Sequence, residues 1–251
     1  MLAADPIFGH PQPPRPIGLP ELLDRTFQAY RRNFWFFATI AIVCVVPDLF
    51  VEAIWGSGGL LGGARLLFAP YALGLLYISA TQVVIWEEAS LKDVLRAAFL
   101  RYFSFAWTLF AYVLCLLSLF IPPLGIWLFV RWMLAPAAVA AEPIGANAAV
   151  RRSAALVKSS WWRCFLTIAT VLILTSLVAM ILGLSVGVAA VFIPNLPLDI
   201  GVMVVGSAAV LAGSLAIPLV PIAFTLLYVD LRVRKEGFDL DYLARSAAEA
   251  A

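Results

Sequence analysis

The chain has 251 residues, of which 63% are hydrophobic and only 13% are charged, whereas soluble domains are about half apolar and a quarter charged. Because the apolar excess is arranged in long runs, this composition excludes a soluble domain and predicts a protein embedded in lipid. The 17 basic and 15 acidic residues give a net charge of +2, which is too near neutral to indicate a nucleic-acid-binding protein.

Few of the residue types that carry catalysis or metal binding are present. His10 is the one histidine, which excludes His-paired nucleophiles and His-rich zinc sites. Cys44, Cys115 and Cys164 have no C-x-x-C spacing, so we expect free cysteines that pack as small hydrophobic side chains. The sequence has no phosphate-binding loop, nucleophile elbow or zinc-protease motif. We therefore predict no enzyme activity, no catalytic residue and no metal or cofactor site.

The chain is predicted to begin with a proline-rich leader. Residues 1–16 contain no continuous apolar stretch, whereas a secretory signal peptide needs about 7–15 apolar residues in a row. We therefore predict a disordered cytoplasmic leader. A membrane domain is expected over residues 17–240 and a cytoplasmic tail over residues 241–251.

Six stretches are long and apolar enough to cross a bilayer, which requires about 20 residues. Pro122 and Pro123 lie between the third and the fourth of these stretches. They predict a tight reversal of the chain there, because proline does not continue a helix. Pro218 and Pro221 are expected to kink the sixth. The predicted spans are residues 34–55, 67–86, 105–121, 124–141, 164–192 and 200–229.

The basic residues predict which ends of these spans face the cytoplasm. Of the 17 lysines and arginines, all but Arg65 and Arg131 lie before the first span, in the second or fourth loop, or after the sixth span. By the positive-inside rule, both termini are then cytoplasmic. The only lysines are Lys92, Lys158 and Lys235. This bias toward arginine is typical of a GC-rich bacterial genome, and we predict the bacterial cytoplasmic (inner) membrane.

Each pair of spans is predicted to follow an amphipathic helix at the membrane surface. Apolar residues recur every three or four positions within residues 17–33 and 90–104, opposite charged side chains, and residues 147–162 repeat this pattern more weakly. Ser90 and Asp93 have the spacing of a capping box at a helix N-terminus. We expect three copies of one unit, an interfacial helix followed by a transmembrane hairpin.

Three ionisable residues within the spans form a candidate polar cluster. Asp48 and Glu52 are four residues apart and share one face of the first span, and Arg131 in the fourth span is predicted to lie at a depth similar to that of Asp48. Because charges are costly within a bilayer, we expect Asp48 and Arg131 to meet. Such a pair would lock two helices together. Snorkelling of each side chain to the outer surface and a substrate or proton site are the alternatives.

Basic side chains at the cytoplasmic rim are candidate contacts for anionic lipid or for a partner protein. Each lysine or arginine near an anionic membrane surface contributes about 1 kcal/mol to binding, although the same charges also enforce topology. These candidate contacts are Arg25, Arg31, Arg32, Arg96, Arg101, Arg151, Arg152 and Lys158.

Two acidic residues at the same rim are expected to form ion pairs. Glu142 lies where the fourth span leaves the membrane, close in sequence to Arg151 and Arg152. Asp230, near the end of the sixth span, is expected to pair with the arginines that follow it, Arg232 and Arg234.

Three stretches of the chain resemble one known family. Residues 17–34, which begin IGLPELLDRTF, residues 140–162, and residues 228–240, YVDLRVRKEGFDL, are similar to the membrane domain that precedes the catalytic domain in some glycerophosphodiester phosphodiesterases, and to related stand-alone bacterial six-span proteins. The last stretch is the most specific. The resemblance implies a membrane domain alone, because the hydrolase barrel, with its histidines and metal-binding carboxylates, has no counterpart in this sequence. It supplies no site residues.

Together these features predict an all-α integral membrane protein with six transmembrane helices, arranged as three hairpins that each follow an interfacial helix. The predicted function is non-enzymatic: a scaffold or accessory subunit in the lipid bilayer that binds anionic phospholipid or an unidentified protein partner. The rival hypothesis is a transporter or permease component with a polar site around Asp48, Glu52 and Arg131. It requires a water-accessible cavity near the middle of the membrane, whereas a dry, packed bundle centre argues against it.

Overall fold

The structure, a computed structural model, describes residues 17–55, 65–86, 89–191 and 198–236, without the side chains of residues 48, 51–55, 65, 66, 119, 190, 191 and 198–204. Within these ranges all regular structure is helical, which confirms the predicted all-α class. The predicted leader, residues 1–16, and the predicted tail, residues 241–251, lie outside the described residues. The helices are α1 Leu19–Arg32, α2 Phe34–Trp55, α3 Arg65–Thr81, α4 Leu91–Leu100, α5 Tyr102–Leu117, α6 Pro122–Trp132, α7 Ala135–Ala141, α8 Ala146–Val157, α9 Trp161–Val191, α10 Leu198–Ser214 and α11 Leu219–Glu236.

Between four and six membrane crossings are compatible with the helices of the described residues. Four helical stretches are each long and apolar enough to span a membrane: Leu67–Trp86, Pro122–Ala141, Trp161–Ala189 and Val205–Glu236. Two further crossings result if α1 with α2, and α4 with α5, each form one bent span. The length and composition of the helices therefore support a multi-pass membrane protein, and the six-span arrangement is the upper end of this range.

The two bent pairs coincide with two of the predicted interfacial helices. The angle between α1 and the first part of α2, Phe34–Pro47, is 84°, and the angle between α4 and α5 is 71°. Asn33 caps the end of α1, and its backbone is not helical. Its side-chain amide donates to the carbonyl of Ala29 at 3.2 Å. Leu22 and Thr26 lie on the buried face of α1. The amphipathic segment therefore ends where the apolar helix begins.

Ser90 is the N-cap residue of α4, which begins at Leu91, as the capping-box spacing predicts. Its side-chain oxygen accepts a hydrogen bond from the backbone N–H of Asp93 at 3.4 Å. The N–H of Ser90 donates to Oε1 of Gln82 at 3.3 Å, so Gln82 has the role that the acidic side chain has in a complete capping box. Gln82 belongs to a π-helical turn, Gln82–Trp86, that extends α3. This bond ties the end of one candidate span to the start of the next amphipathic helix.

The third predicted amphipathic segment, residues 147–162, is divided between two helices. α8 ends at Val157 and α9 begins at Trp161. The buried face of α8 includes the small residues Ala149, Ser153 and Ala154, and this helix packs against α5, α6, α7 and α11. Small side chains allow helices to approach closely. They also explain why the apolar periodicity of this segment is weak in the sequence.

α11 is enclosed by α1, α3, α7, α8 and α9, and most of its residues are buried. α1 lies antiparallel beside it. The N–H of Ile17 donates to Oδ1 of Asp230 at 2.8 Å, and the hydroxyl of Tyr30 donates to the carbonyl of Leu215, just before α11, at 2.6 Å. The first amphipathic helix is therefore packed along the bundle over its whole length.

Prolines interrupt the helices near the positions where the sequence predicts a reversal, at Pro122 and Pro123, and a kink, at Pro218 and Pro221. Residues 215–218 form turns between α10 and α11, so the sixth predicted span is broken at Pro218, while Pro221 lies in the first turn of α11, where a missing N–H is tolerated. Pro122 and Pro123 occupy the first turn of α6 for the same reason. α5 and α6 pack against each other on either side of this reversal.

Candidate functional site

A buried carboxylate joins three segments that are distant in sequence. The side chain of Asp230 in α11 has no exposed surface. It accepts hydrogen bonds from the N–H of Ile17 at 2.8 Å, from Nη2 of Arg163 at 2.7 Å and from Nε of Arg234 at 3.1 Å. Both arginines also donate to the carbonyl of Ile17, at 2.5 Å and 2.9 Å. Hydrogen bonds therefore hold both the N–H and the carbonyl of Ile17, just before α1.

A second ionic cluster lies at the same end of α11. Arg152 donates to Glu142 at 3.1 Å and to Glu236 at 2.7 Å. The hydroxyl of Tyr228 donates to Glu142, and Nε of Arg232 lies 3.6 Å from the same carboxylate. The hydrogen bond to Glu236, partly opposed by burial, raises the pKa of the Arg152 guanidinium above its ordinary value. The charges of this cluster therefore neutralise one another.

These clusters test the predicted rim ion pairs. The pairs of Glu142 with Arg152 and of Asp230 with Arg234 are present. Arg232 contacts Glu142 and Glu236 in the structure, whereas the sequence assigns it to Asp230. The pair of Arg163 with Asp230 is not among those that the sequence predicts. Both clusters are built from complementary charges and satisfied hydrogen bonds, which is typical of sites that fix helices in place.

The described residues contain no cluster suited to hold a metal ion, defined as three or more neighbouring His, Cys, Asp or Glu. The three cysteines are free thiols; Cys115 and Cys164 are buried and Cys44 is half-buried. Their burial is the packing that the sequence predicts for small hydrophobic side chains.

The eight candidate rim contacts fall into two groups in the structure. Arg25 is bonded to Glu21 at 2.7 Å. Arg101 donates to the carbonyl of Val139 at 2.6 Å and to that of Ala140 at 3.1 Å, at the end of α7, and Arg152 belongs to the cluster described above. The other five have exposed side chains and are here called the exposed cations: Arg31, Arg32, Arg96, Arg151 and Lys158.

Several of the exposed cations lie close in sequence to exposed aromatic side chains. Trp35, three residues after Arg32, is 81% exposed, and Trp162, four residues after Lys158, is 71% exposed. Tryptophan with neighbouring lysine or arginine is typical of the boundary between water and lipid. We therefore treat these helix ends as the candidate lipid-contacting surface.

α4 carries the same combination on one helix face. Lys92 and Arg96 are exposed near its start, and one turn further along the same face Phe99 and Leu100 are 74% and 71% exposed. Charged side chains thus give way to large apolar ones along the helix axis. Basic and large apolar side chains exposed side by side are typical of a helix end at the boundary between water and lipid.

The candidate intramembrane cluster is described only in part. The side chains of Asp48 and Glu52 lie outside the described residues, so the pair of Asp48 with Arg131 stays a prediction. The guanidinium of Arg131 is half-buried and lies 4.8 Å from the ring centre of Trp127 on the same helix. α6, which carries Arg131, packs mainly against α5, α8 and α9, whereas α2, which carries Asp48, packs mainly against α3 and α10.

Comparisons with protein-family models, with curated proteins and with solved structures find no match to this chain. The resemblance to the membrane domain of glycerophosphodiester phosphodiesterases therefore stays a prediction from the sequence.

Proposed function

We propose that this chain is a non-catalytic, multi-pass membrane protein that binds anionic phospholipid headgroups at its cytoplasmic face and acts there as a scaffold or accessory subunit. The proposal includes six spans with both termini in the cytoplasm of a bacterial cell. The distribution of basic residues supports this orientation, because Arg65 and Arg131 are the only two that do not fall in a predicted cytoplasmic segment.

The observation that carries the proposal is the division of the rim cations into engaged and exposed groups. Arg25 and Arg152 are bonded to carboxylates, which compensate their charges, and Arg101 is bonded to backbone carbonyls, so all three guanidinium groups are engaged within the protein. The exposed cations have large apolar neighbours in sequence, such as Phe99 near Arg96 and Trp162 near Lys158. Because each such charge near an anionic leaflet contributes about 1 kcal/mol, five of them favour a membrane surface over a soluble partner.

Lipid-dependent stabilisation of the full chain in an uncharged detergent tests the proposal. A ligand that binds only the folded state raises its stability with ligand concentration. We expect short-chain phosphatidylglycerol to raise the Tm, followed by tryptophan fluorescence, more than short-chain phosphatidylcholine at equal concentration. The gain should fall at high salt, because surface charges are screened.

Two variants distinguish the loss of the basic charges from a general loss of stability. Replacing all five exposed cations with glutamine should abolish the preference for phosphatidylglycerol and leave the Tm in phosphatidylcholine near that of the wild type. As the control, Asp24→Asn and Asp93→Asn change charge at exposed acidic positions on α1 and α4 and should preserve the preference. Equal stabilisation of the wild-type protein by the two lipids would overturn the proposal.

A further inference from the structure

A groove lies between α5, α6 and α9, all of which belong to candidate membrane spans. Its volume is about 460 Å³, and small-molecule sites have volumes of about 300–1,000 Å³. Three helices that are distant in sequence thus enclose one space large enough for a ligand. Cys115 and Leu116 line it from α5, Ile126 and Phe129 from α6, and Ala169 and Leu172 from α9.

The walls of this groove are apolar. Among the described residues that line it, only Tyr112 carries a hydroxyl, and this hydroxyl donates to the carbonyl of Met133 at 2.7 Å. Cys115 is a buried free thiol, which behaves as a small hydrophobic group. A polar occupant would lose its hydrogen bonds to water and find few acceptors or donors in exchange. The lining therefore favours a hydrocarbon occupant.

The charged residues of the three helices do not line the groove. α5 has none, α6 has Arg131 and α9 has Arg163. The guanidinium of Arg131 lies 4.8 Å from the ring centre of Trp127, and that of Arg163 is bonded to Asp230 at 2.7 Å. An anionic headgroup would therefore find no cation among the described lining residues.

The size and the opening of the groove suit a flexible chain better than a helix. One helical turn with its side chains is a cylinder about 10–12 Å wide and about 5.4 Å long, so the groove holds one turn at most. A transmembrane helix of a partner needs about 20 residues and is too large to lie in it. Leu116 and Ile126 line the groove and are 68% and 40% exposed, so a lipid chain can enter from the surrounding bilayer.

Trp161 supplies a polar group one helical turn before the groove. Its ring stacks on Phe165, which lines the groove, with a centroid distance of 5.3 Å. Its Nε1 is buried and has no hydrogen-bond partner among the described residues, whereas a buried indole N–H usually has one. Trp161 is the first residue of α9, at the end that the proposed topology places at the cytoplasmic boundary. The ester carbonyl of a lipid at this boundary would be an acceptor for this N–H.

We propose that the groove binds one acyl chain of a membrane lipid, whose ester carbonyl accepts a hydrogen bond from Nε1 of Trp161 while the chain lies against Ala169 and Leu172. Trp161 and Ala169 are eight residues apart, or about 12 Å along α9, and one leaflet contributes about 15 Å to the hydrocarbon core. The site goes beyond the proposed function because it recognises the chain rather than an anionic headgroup. It requires α5, α6 and α9 to lie in the membrane but does not involve the exposed cations.

Native mass spectrometry of the full chain with added monooleoylglycerol tests this site. The probe has one long acyl chain, an ester carbonyl and no charge. We expect the wild type to retain one copy, and Ala169→Trp to weaken binding about tenfold because the larger side chain fills the groove. The matched control is Ile173→Trp, at a position on α9 that is 62% exposed and does not line the groove. It should retain the probe as the wild type does.

Two further measurements examine the two ends of the probe. Trp161→Phe keeps an aromatic ring beside Phe165 and removes the N–H, so we expect binding to weaken about threefold. Binding of equal strength would overturn the assigned hydrogen bond. Monobutyrylglycerol has the same headgroup and a short chain, and the wild type should not retain it. Retention of this short probe as tightly as monooleoylglycerol would overturn recognition of the chain.

The outcomes distinguish this site from the proposed function. If the wild type retains no monooleoylglycerol, or if folded Ala169→Trp retains it as tightly as the wild type, the groove site is overturned, whatever the preference for phosphatidylglycerol. If that preference is absent but Ala169→Trp alone loses the probe, the proposed function fails and the groove site stands. Ala169→Leu, a smaller replacement, decides the matter by the same criterion if Ala169→Trp does not fold.

Discussion

Arg163 and Asp230 connect the start of α9 to the last turns of α11 through a contact of 2.7 Å between Nη2 and Oδ2. The carboxylate is fully buried, whereas the arginine side chain is 32% exposed. Because Asp230 also accepts hydrogen bonds from Ile17 and Arg234, α1, α9 and α11 depend on one buried charge.

Asp230→Asn removes this charge and keeps the size of the side chain. We expect the free energy of unfolding to fall by about 2–3 kcal/mol, since hydrogen bonds to charged groups contribute about 1.5–3 kcal/mol. The partial exposure of Arg163 and Arg234 keeps the loss below that of a fully buried ion pair. Denaturant unfolding in mild detergent measures it. Asp24→Asn on the exposed face of α1 is the control and should change stability by less than about 0.5 kcal/mol; a loss as large as that of Asp230→Asn would contradict the prediction.

Arg151 and Arg152 are adjacent in sequence but differ in their surroundings. Arg152 bonds to Glu142 and Glu236, whereas Arg151 is exposed. Arg152→Gln should lower the free energy of unfolding by about 1–3 kcal/mol, because two partly buried carboxylates lose their counter-charge. Arg151→Gln should leave it within about 0.5 kcal/mol. Similar thermal unfolding curves for the two variants would show that the Glu142 cluster does not stabilise the fold.

Arg101 is predicted to stabilise the end of α7. Its guanidinium bonds to the last carbonyls of that helix, those of Val139 and Ala140, which have no partner within the helix. Arg101→Gln should cost about 1–2 kcal/mol, and Arg96→Gln, at an exposed position on α4, should cost much less. The reverse order in urea or detergent-induced unfolding would show that the bond to α7 is unimportant.

Cysteine labelling tests the proposed orientation. In a background without Cys44, Cys115 and Cys164, we expect an impermeant maleimide to label Ser57→Cys in intact cells, because that position is predicted to follow the first span on the outer side. Lys158→Cys should react only after permeabilisation. Labelling of Lys158→Cys in intact cells would overturn the assignment of this loop to the cytoplasm.

Hydrophobic periodicity predicted the existence of α1 but not its neighbours. The pattern places Leu22 and Phe27 on one apolar face; Leu22 is buried, whereas Phe27 is 39% exposed. What covers the buried part of this face is α11, which begins almost two hundred residues later in the chain. In α8 the same reasoning was less informative, because its buried face uses Ala149 and Ser153, whose small side chains give little hydrophobic signal.

The ion pairs of the two clusters also differ in how far the sequence predicts them. Glu142 and Arg152 are ten residues apart, so their pairing was predictable from a short connection between two helices. Arg163 and Asp230 are 67 residues apart, and no sequence period relates them. Their contact is set by the packing of α9 against α11, and a single sequence specifies that packing only through the complete fold.

The central position of α11 also has a consequence for biogenesis. The five helices that enclose it precede it in the chain, and synthesis proceeds from the N-terminus. The inward faces of those helices therefore remain unmatched in the translocating chain until this late segment enters. Packing of the described helices around their common centre is therefore completed only after α11 has been synthesised.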